Sequence, residues 1–272
     1  MLILIKSAGD LASGVAVKLY HCGYQIIMTE IGQPTTVRCE VSFSRVVYQG
    51  SCQLEGVTAR HAVGLEQVRK ILDQGEIPVY TGPAGHILHE FRPQVLIDAI
   101  IAKHNSGTRI DDAPLTIALG PGFTAGVDCH AVIETMRGHD LGRVLYQGQA
   151  YPNTGVPGEI DGHGSDRILR SCHDGVFQPI RKIGDSVNLG DIVAHIGEKN
   201  VYAQVSGVIR GLLPAGTPVS RGMKSGDIDP RGRREYCFSI SDKARNIAGG
   251  VLEAILRWQN AGADQAETTC RQ

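Results

Sequence analysis

The 272-residue sequence is poor in aromatic residues, and it has neither a long apolar run nor a cluster of basic side chains. Aromatic residues make up 5% of the chain, and the formal net charge is -1. A nucleic-acid-binding protein needs a basic surface with interleaved aromatic residues, so this class is excluded. The longest apolar runs, such as 2–5 and 95–101, are far shorter than the roughly 20 residues that cross a bilayer. We therefore expect small molecules or proteins as partners, and neither nucleic acid nor a membrane.

The seven cysteines are scattered along the chain and form no C-x-x-C pair. This pattern argues against a disulfide framework and against a tetrahedral zinc site. Met1 leads directly into a strand-like run, without the basic and apolar segments of a secretory signal. We expect reduced thiols, no bound metal and a cytoplasmic location.

Residues 1–150 alternate between apolar runs and helical periodicity. Leu2–Ile5 is a continuous apolar run, which is typical of a strand buried on both faces. Apolar residues then recur every four positions from Leu11 to Leu19, which predicts a helix, and 24–28 predicts a second strand. The alternation favours an α/β, Rossmann-like, mostly parallel sheet. The spacing in Pro34–Gly50 favours a further helix, although an alternating strand pattern also fits.

From about residue 151 the sequence changes to short apolar pieces separated by glycines. The stretches 183–191 and 213–222 both contain Gly-x-x-Val-x-x-Gly, an internal repeat that favours a small quasi-symmetric barrel. We predict that 151–241 is an all-β module similar to the barrel-sandwich hybrid of biotinyl and lipoyl carrier domains. A C-terminal helix with one apolar face is expected at 242–260, and a disordered polar tail at 261–272.

The turn after the first strand is a candidate ligand site. A dinucleotide-binding turn uses glycines so that the backbone can approach a phosphate at the helix N-terminus. Here the turn has Gly9, Asp10 and Gly14, but Ser7 stands where the first glycine is usual. Glu30 ends the second strand, where an acidic side chain accepts hydrogen bonds from a ribose. A purely geometric turn glycine is the alternative.

A second ligand loop is predicted where a glycine-proline turn follows an apolar strand. Its residues are Gly120, Pro121, Gly122 and Phe123. Arg137 and His139 follow another apolar run, a position suited to anion binding or proton transfer, although most such loop residues are only solvated.

For three other groups of residues, a structural role explains the pattern at least as well as a chemical one. Cys129 and His130 are neighbours, but adjacent residues of a strand point to opposite faces. A His86–His89 pair has helical spacing for a metal, yet no third ligand is evident. Asp227–Asp229 offers two carboxylates that either bind a cation or cap a turn before proline.

Several longer strings together resemble one family. They are Ala8–Gly14, Met28–Glu30, Gln33–Thr35, Gly120–Phe123, Val132–His139, Asn153–Gly158 and Gly226–Arg231. The chain resembles the YqeB-type family, accessory proteins of the selenium-dependent molybdenum hydroxylase system, with a Rossmann-like region akin to that of XdhC maturation proteins. The resemblance implies a role in maturing a client such as xanthine dehydrogenase.

The two glycine turns, after Ile5 and after Leu119, should lie at one edge of the sheet, and we therefore expect the N-terminal region to bind a phosphate-bearing small molecule. Candidates are the molybdenum cofactor, as molybdopterin or its cytosine dinucleotide, or another dinucleotide. Two rival hypotheses stay open: an NAD(H)-dependent oxidoreductase, which Glu30 would serve, and a non-catalytic scaffold that docks the client through its β module. The sequence does not decide whether the protein is an enzyme or how many subunits assemble.

Overall fold

The computed structural model describes the backbone of residues 1–270 and the side chains of residues 1–261. The disordered tail predicted over 261–272 therefore falls almost entirely outside the described side chains. Within the described part, no helix combines the length and the apolar composition needed to span a bilayer. The predicted divisions at residues 150, 241 and 260 stay predictions.

One large sheet organises the first 150 residues. Their strands are β1 Leu2–Lys6, β2 Gln25–Thr29, β3 Ser51–Leu54, β4 Val57–Ala62, β5 Ile77–Tyr80, β6 Val95–Asp98, β7 Leu115–Leu119, β8 Thr124–Ala125, β9 Ala131–Ile133, β10 Val144–Leu145 and β11 Gly148–Gln149. Nine of them form a sheet of order β10-β9-β7-β6-β1-β2-β5-β4-β3, while β8 pairs with β11 separately. The central strand β1 pairs in parallel with both β2 and β6. Both of its faces are buried, since Ile3 and Ile5 lie in one apolar core and Leu4 lies in another.

Helices cover the faces of this sheet. They are α1 Asp10–His21, α2 Val46–Gln49, α3 Leu65–Asp73, α4 Ala84–Phe91 and α5 Asp242–Cys270. The apolar periodicity that predicted α1 buries Val15 and Leu19 completely, in a core shared with Ile247 and Val251 of α5. The C-terminal helix thus packs back onto the first helix.

The β-rich segment contains the strands β12 Ile168–Arg170, β13 Gly175–Pro179, β14 Ser186–Val187, β15 Ile192–Ile196, β16 Lys199–Tyr202, β17 Gly207–Leu212, β18 Thr217–Val219 and β19 Lys224–Asp229. They form two four-stranded sheets, of orders β12-β19-β17-β14 and β16-β15-β13-β18, in which neighbouring strands are antiparallel. A separate apolar core built around Phe177 and Ile209 belongs to them. The Leu212 N–H donates to the Val37 carbonyl at 2.7 Å, which joins this segment to the first part of the chain.

The predicted fold class, a Rossmann-like mostly parallel sheet followed by a barrel-sandwich-hybrid-like module, has to be corrected. The large sheet is mixed, because β3 and β10 run antiparallel to their neighbours at its two edges, and two antiparallel sheets accompany it. The β3–β4 hairpin was missed because its turn is Glu55–Gly56, with φ of 46° and 83°. This turn lacks the usual Asn-Gly or Asp-Gly signal.

The helix predicted over Pro34–Gly50 was also wrong. Only α2 is α-helical there, and it follows two single turns of 3-10 helix at Cys39–Val41 and Phe43–Arg45. The Ser42 side chain explains the interruption, since its Oγ donates to the Ala8 carbonyl at 2.7 Å. A serine that bonds to backbone elsewhere competes with a continuous helix.

Candidate functional site

A cleft opens at the carboxyl end of the parallel strands β1 and β6. The chain continues from β1 to β2 and from β6 to β7, which lie towards opposite edges of the sheet, and such a divergence creates a crevice in open α/β sheets. Two adjoining cavities of about 640 and 530 Å³ lie there and share Asp10, Leu11, Arg38, Ile101 and Lys224. We call the pair the central cleft. The residues after β1 and β6, the start of β19 and the start of α5 line it.

The turn after β1 uses several of its own backbone donors internally. Ser7 has φ of +88°, and its Oγ accepts the Gly9 N–H at 3.1 Å. The Glu30 carboxylate accepts the Ala8 N–H at 3.0 Å and the Ile31 N–H at 2.8 Å. Burial raises the pKa of Glu30, and these two backbone hydrogen bonds oppose that rise. Glu30 therefore holds the turn in place, and the turn offers a ligand fewer free N–H groups than its glycine pattern suggested.

Asp10 and Gly14 have different surroundings on α1. Asp10 begins the helix, borders both cavities and lies 3.7 Å from the Arg38 guanidinium. Gly14 instead faces α5, where an added Cβ would lie 2.7 Å from the Ala244 Cβ. The missing side chain of Gly14 thus allows close helix packing.

The predicted second loop contributes mainly to backbone geometry. Gly120 and Gly122 have φ of +76° and +103°, which favours glycine at both positions. An added Cβ at Gly122 would also lie 2.5 Å from the His104 Cα. Phe123 is 2% exposed and packs in a small apolar cluster, whereas Pro121 borders the central cleft.

Arg137 and His139 lie apart. Arg137 borders the cleft and donates two hydrogen bonds, of 2.7 and 2.9 Å, to the Asp242 carboxylate at the start of α5. This pairing holds the pKa of Asp242 well below its usual range. His139 is exposed and borders a different depression, beside Asn246.

The central cleft carries an excess of basic side chains that the sequence analysis missed. Its larger cavity is lined by seven basic residues, Arg38, Lys103, Arg137, Arg167, Arg210, Lys224 and Lys243. Four acidic residues line it, Asp10, Glu134, Glu159 and Asp227. Among the basic residues only Arg137 was predicted. A charged residue inside the otherwise apolar strand β17 was the one available signal for Arg210.

Arg210 is the most deeply buried of these cations. It is 6% exposed, and its Nε has no hydrogen-bond partner among the described residues. Its guanidinium lies 3.4 Å from the Asp229 carboxylate, to which Arg231 donates hydrogen bonds of 2.9 and 2.6 Å. Burial lowers the pKa of Arg210, and the positive charge of Arg38 lowers it further. The positive charge of Arg210 is therefore only partly neutralised within the protein.

Arg167, which directly precedes β12, has a similar arrangement. It is 8% exposed, pairs with Asp227 and donates to the Gly158 carbonyl at 2.9 Å, while its buried Nε lacks a partner in the described part of the chain. Asp227 and Asp229 are thus both engaged by arginines, which favours ion pairing over cation binding for these carboxylates.

The remaining candidates from the sequence lie in buried or hydrogen-bonded positions that favour a structural role. Burial raises the pKa of the Cys129 thiol to about 12, and the His130 Nδ1 accepts the Thr116 N–H at 3.0 Å. The His86 ring is hydrogen-bonded to the Tyr80 hydroxyl at 3.0 Å. Over the residues that the structure describes, no three His, Cys, Asp or Glu side chains are grouped to hold a metal ion.

The fold and the cleft define the class of protein: an α/β protein with a mixed sheet and a basic cleft of small-molecule size at its carboxyl edge. No family model matches the chain. It is 52% identical over 261 residues, 96% of its length, to the uncharacterized protein YqeB of Escherichia coli strain K12. The chain spans about half of that relative, since it covers 48% of it. The resemblance to a YqeB-type protein is confirmed.

Solved structures resemble the chain more remotely. An aspartoacylase family protein from Mesorhizobium loti is 12% identical, with 84% of this chain and 83% of that one covered and a TM-score of 0.25. A succinylglutamate desuccinylase from Silicibacter sp. TM1040 is 14% identical, with 84% of each chain covered and a TM-score of 0.24. At these scores the likeness assigns neither a substrate nor an activity to this chain.

The predicted accessory role in the selenium-dependent molybdenum hydroxylase system is corrected by these comparisons. The curated relative is uncharacterized, and the structural neighbours are desuccinylase and aspartoacylase proteins rather than maturation proteins. Neither the role nor the molybdenum and selenium chemistry that came with it is carried further.

Proposed function

We propose that this chain binds a small molecule carrying phosphate or carboxylate groups in the central cleft. The observation that carries the proposal is Arg210, a buried guanidinium with an unpartnered Nε beside a second arginine. Burying a cation without full pairing is costly, so such a group is retained where an anion compensates it. The ligand supplies that negative charge.

The chemistry of arginine favours these two anions. A planar guanidinium presents several N–H donors in a fork that matches the oxygens of a carboxylate or phosphate. The basic residues around Arg210 come from separate elements, with Arg38 before the first 3-10 turn, Lys224 on β19 and Lys243 on α5. An anion in the cleft would relieve the repulsion among all of them.

Five residues predicted from the sequence support the same location. Gly9, Asp10, Glu30, Pro121 and Arg137 border the central cleft. The cavity volumes, about 640 and 530 Å³, fall within the range of about 300 to 1,000 Å³ common for small-molecule sites. The cleft is therefore large enough for an organic molecule that bears the anionic group.

Calorimetric titration of the full chain with pyrophosphate and with citrate tests the proposal. Sodium chloride at matched ionic strength is the control, because nonspecific charge effects depend on ionic strength alone. We expect saturable binding of at least one of the two anions and none of chloride. If neither anion gives a saturable signal above the chloride control, the proposal fails.

A further inference from the structure

Lys243 is a cation in a position that disfavours positive charge. It is the second residue of α5, and the N-terminus of a helix carries the positive end of its dipole. The preceding Asp242 is already bound by Arg137. Among the described residues, no carboxylate lies within 4.0 Å of the Lys243 amine. The helix end and its acidic neighbour therefore provide no direct ion-pair partner for this amine.

The charges around Lys243 are mixed. The positive charges of Arg137 and Lys224 disfavour the charged amine, whereas the negative charges of Asp10 and Glu134 favour it. Both Glu134 oxygens are already engaged, since they accept the Met136 N–H at 2.6 Å and the Tyr151 N–H at 2.7 Å. Burial, and then Arg137, lower the pKa of the half-buried Lys243. The surroundings of Lys243 thus disfavour the charged form of its amine relative to an amine in water.

Lys243 lines the same cavity as Arg210. That arginine, 6% exposed and with an Nε that has no partner among the described residues, is the residue on which the anion binding proposed above rests. A lysine without an ion-pair partner among the described residues and the proposed anion-binding arginine therefore line one cleft. An uncharged amine is a nucleophile towards carbonyl groups.

We propose that Lys243 is a carbonyl-reactive amine and that the ligand class is an aldehyde or ketone bearing a phosphate or carboxylate group. This inference rests on the anion binding proposed above. The Lys243 nitrogen attacks the carbonyl carbon, a proton moves from nitrogen to oxygen, and the adduct loses one water to give an imine. The step involves no oxidation or reduction, because the amine and the carbonyl give only the imine and water.

Another lysine of the cleft provides the internal comparison. The Lys224 amine lies 3.8 Å from the Asp227 carboxylate, and it is exposed. Lys6, near the same sheet edge, donates to the Thr108 hydroxyl at 2.8 Å and lies 3.5 Å from Asp112. A nearby carboxylate favours the charged, unreactive form of an amine. Lys224 is therefore the matched control for Lys243.

The test uses pyridoxal 5′-phosphate, an aldehyde with a phosphate group, and pyridoxal, the same aldehyde without it. Sodium cyanoborohydride reduces any imine to a stable secondary amine, and peptide mapping of the full chain locates it. At pH 7 we expect Lys243 to be labelled by the phosphate-bearing aldehyde at least tenfold faster than Lys224. Pyridoxal should lose most of this preference, and excess pyrophosphate should protect Lys243.

Labelling of Lys243 no faster than Lys224 would overturn the inference. Fast labelling that pyridoxal reproduces equally, or that pyrophosphate does not prevent, would overturn the ligand class. These outcomes are separable from a failure of the proposed function, since pyrophosphate binding is measured on the unlabelled protein. Binding of pyrophosphate with slow labelling leaves anion binding intact and removes only the carbonyl chemistry.

Discussion

Asp229 is completely buried and lies 3.4 Å from the Arg210 guanidinium, yet its two oxygens are already hydrogen-bonded to Arg231. One carboxylate is thus shared by two arginines, and only Arg231 is hydrogen-bonded to it. Arg38 adds a further positive charge beside Arg210. This shortage of negative charge at the cleft is the basis for assigning an anionic ligand.

The packing of α1 on α5 gives the first testable consequence. In Gly14→Ala the new Cβ would lie 2.7 Å from the Ala244 Cβ and 3.3 Å from the Ile240 Cγ2. Overpacking of this kind costs about 1–3 kcal/mol, so we expect a loss of that size in urea unfolding. Gly249→Ala is the control, because that helical glycine is exposed and has open space around it. The control should gain about 0.5–1 kcal/mol, and equal stability of the two variants would contradict the packing account.

Glu30 makes a second prediction, on pH dependence. Its folded-state pKa is raised above the ordinary value of 4.5, so its contribution to stability is fully present below that value. The contribution is lost as pH rises through the folded-state pKa. We compare the unfolding free energies of the wild type and Glu30→Gln from pH 4 to pH 8. The wild type should lose stability relative to the variant as pH rises, and a relative gain would refute the burial of Glu30.

Thiol reactivity provides a third prediction. Cys129 is buried and its pKa is raised to about 12, which leaves almost no thiolate at pH 8. We expect iodoacetamide to modify the exposed Cys22 of the native protein rapidly and Cys129 only after unfolding, as read by peptide mapping. Fast labelling of Cys129 in the native state would show that this thiol is accessible and would restore it as a candidate nucleophile.

Sequence reasoning located the turn after β1 and much of one border of the cleft. The apolar run 2–5 and the four-residue periodicity of α1 reflect burial of whole elements, which a sequence records directly. The glycine pattern did not show which glycines border the cleft and which allow close packing of helices. Gly14 is explained by a helix 230 residues away in the chain, at Ala244, and no local pattern encodes such a contact.

The basic cleft residues could not be predicted for a related reason. Arg38, Arg210 and Lys243 are far apart in the sequence and lie in elements of different kinds, and only the tertiary fold brings them to one cavity. The edge strands of the large sheet were equally hidden. The antiparallel pairing of β3 depends on the Glu55–Gly56 turn, whose positive φ angles are not indicated by any common hairpin sequence.

The most direct test of anion binding is the pyrophosphate affinity of Arg210→Met. This change leaves Asp229 paired with Arg231, so the variant should fold with a melting temperature at or above that of the wild type. Charge-assisted hydrogen bonds contribute about 1.5–3 kcal/mol, so the calorimetric Kd should rise about tenfold or more. Arg69→Met removes an equal charge from the exposed pair with Glu90 and should leave the Kd within about twofold. An unchanged Kd in Arg210→Met, or an equal loss of pyrophosphate affinity in both variants, would contradict an anion-binding site at Arg210.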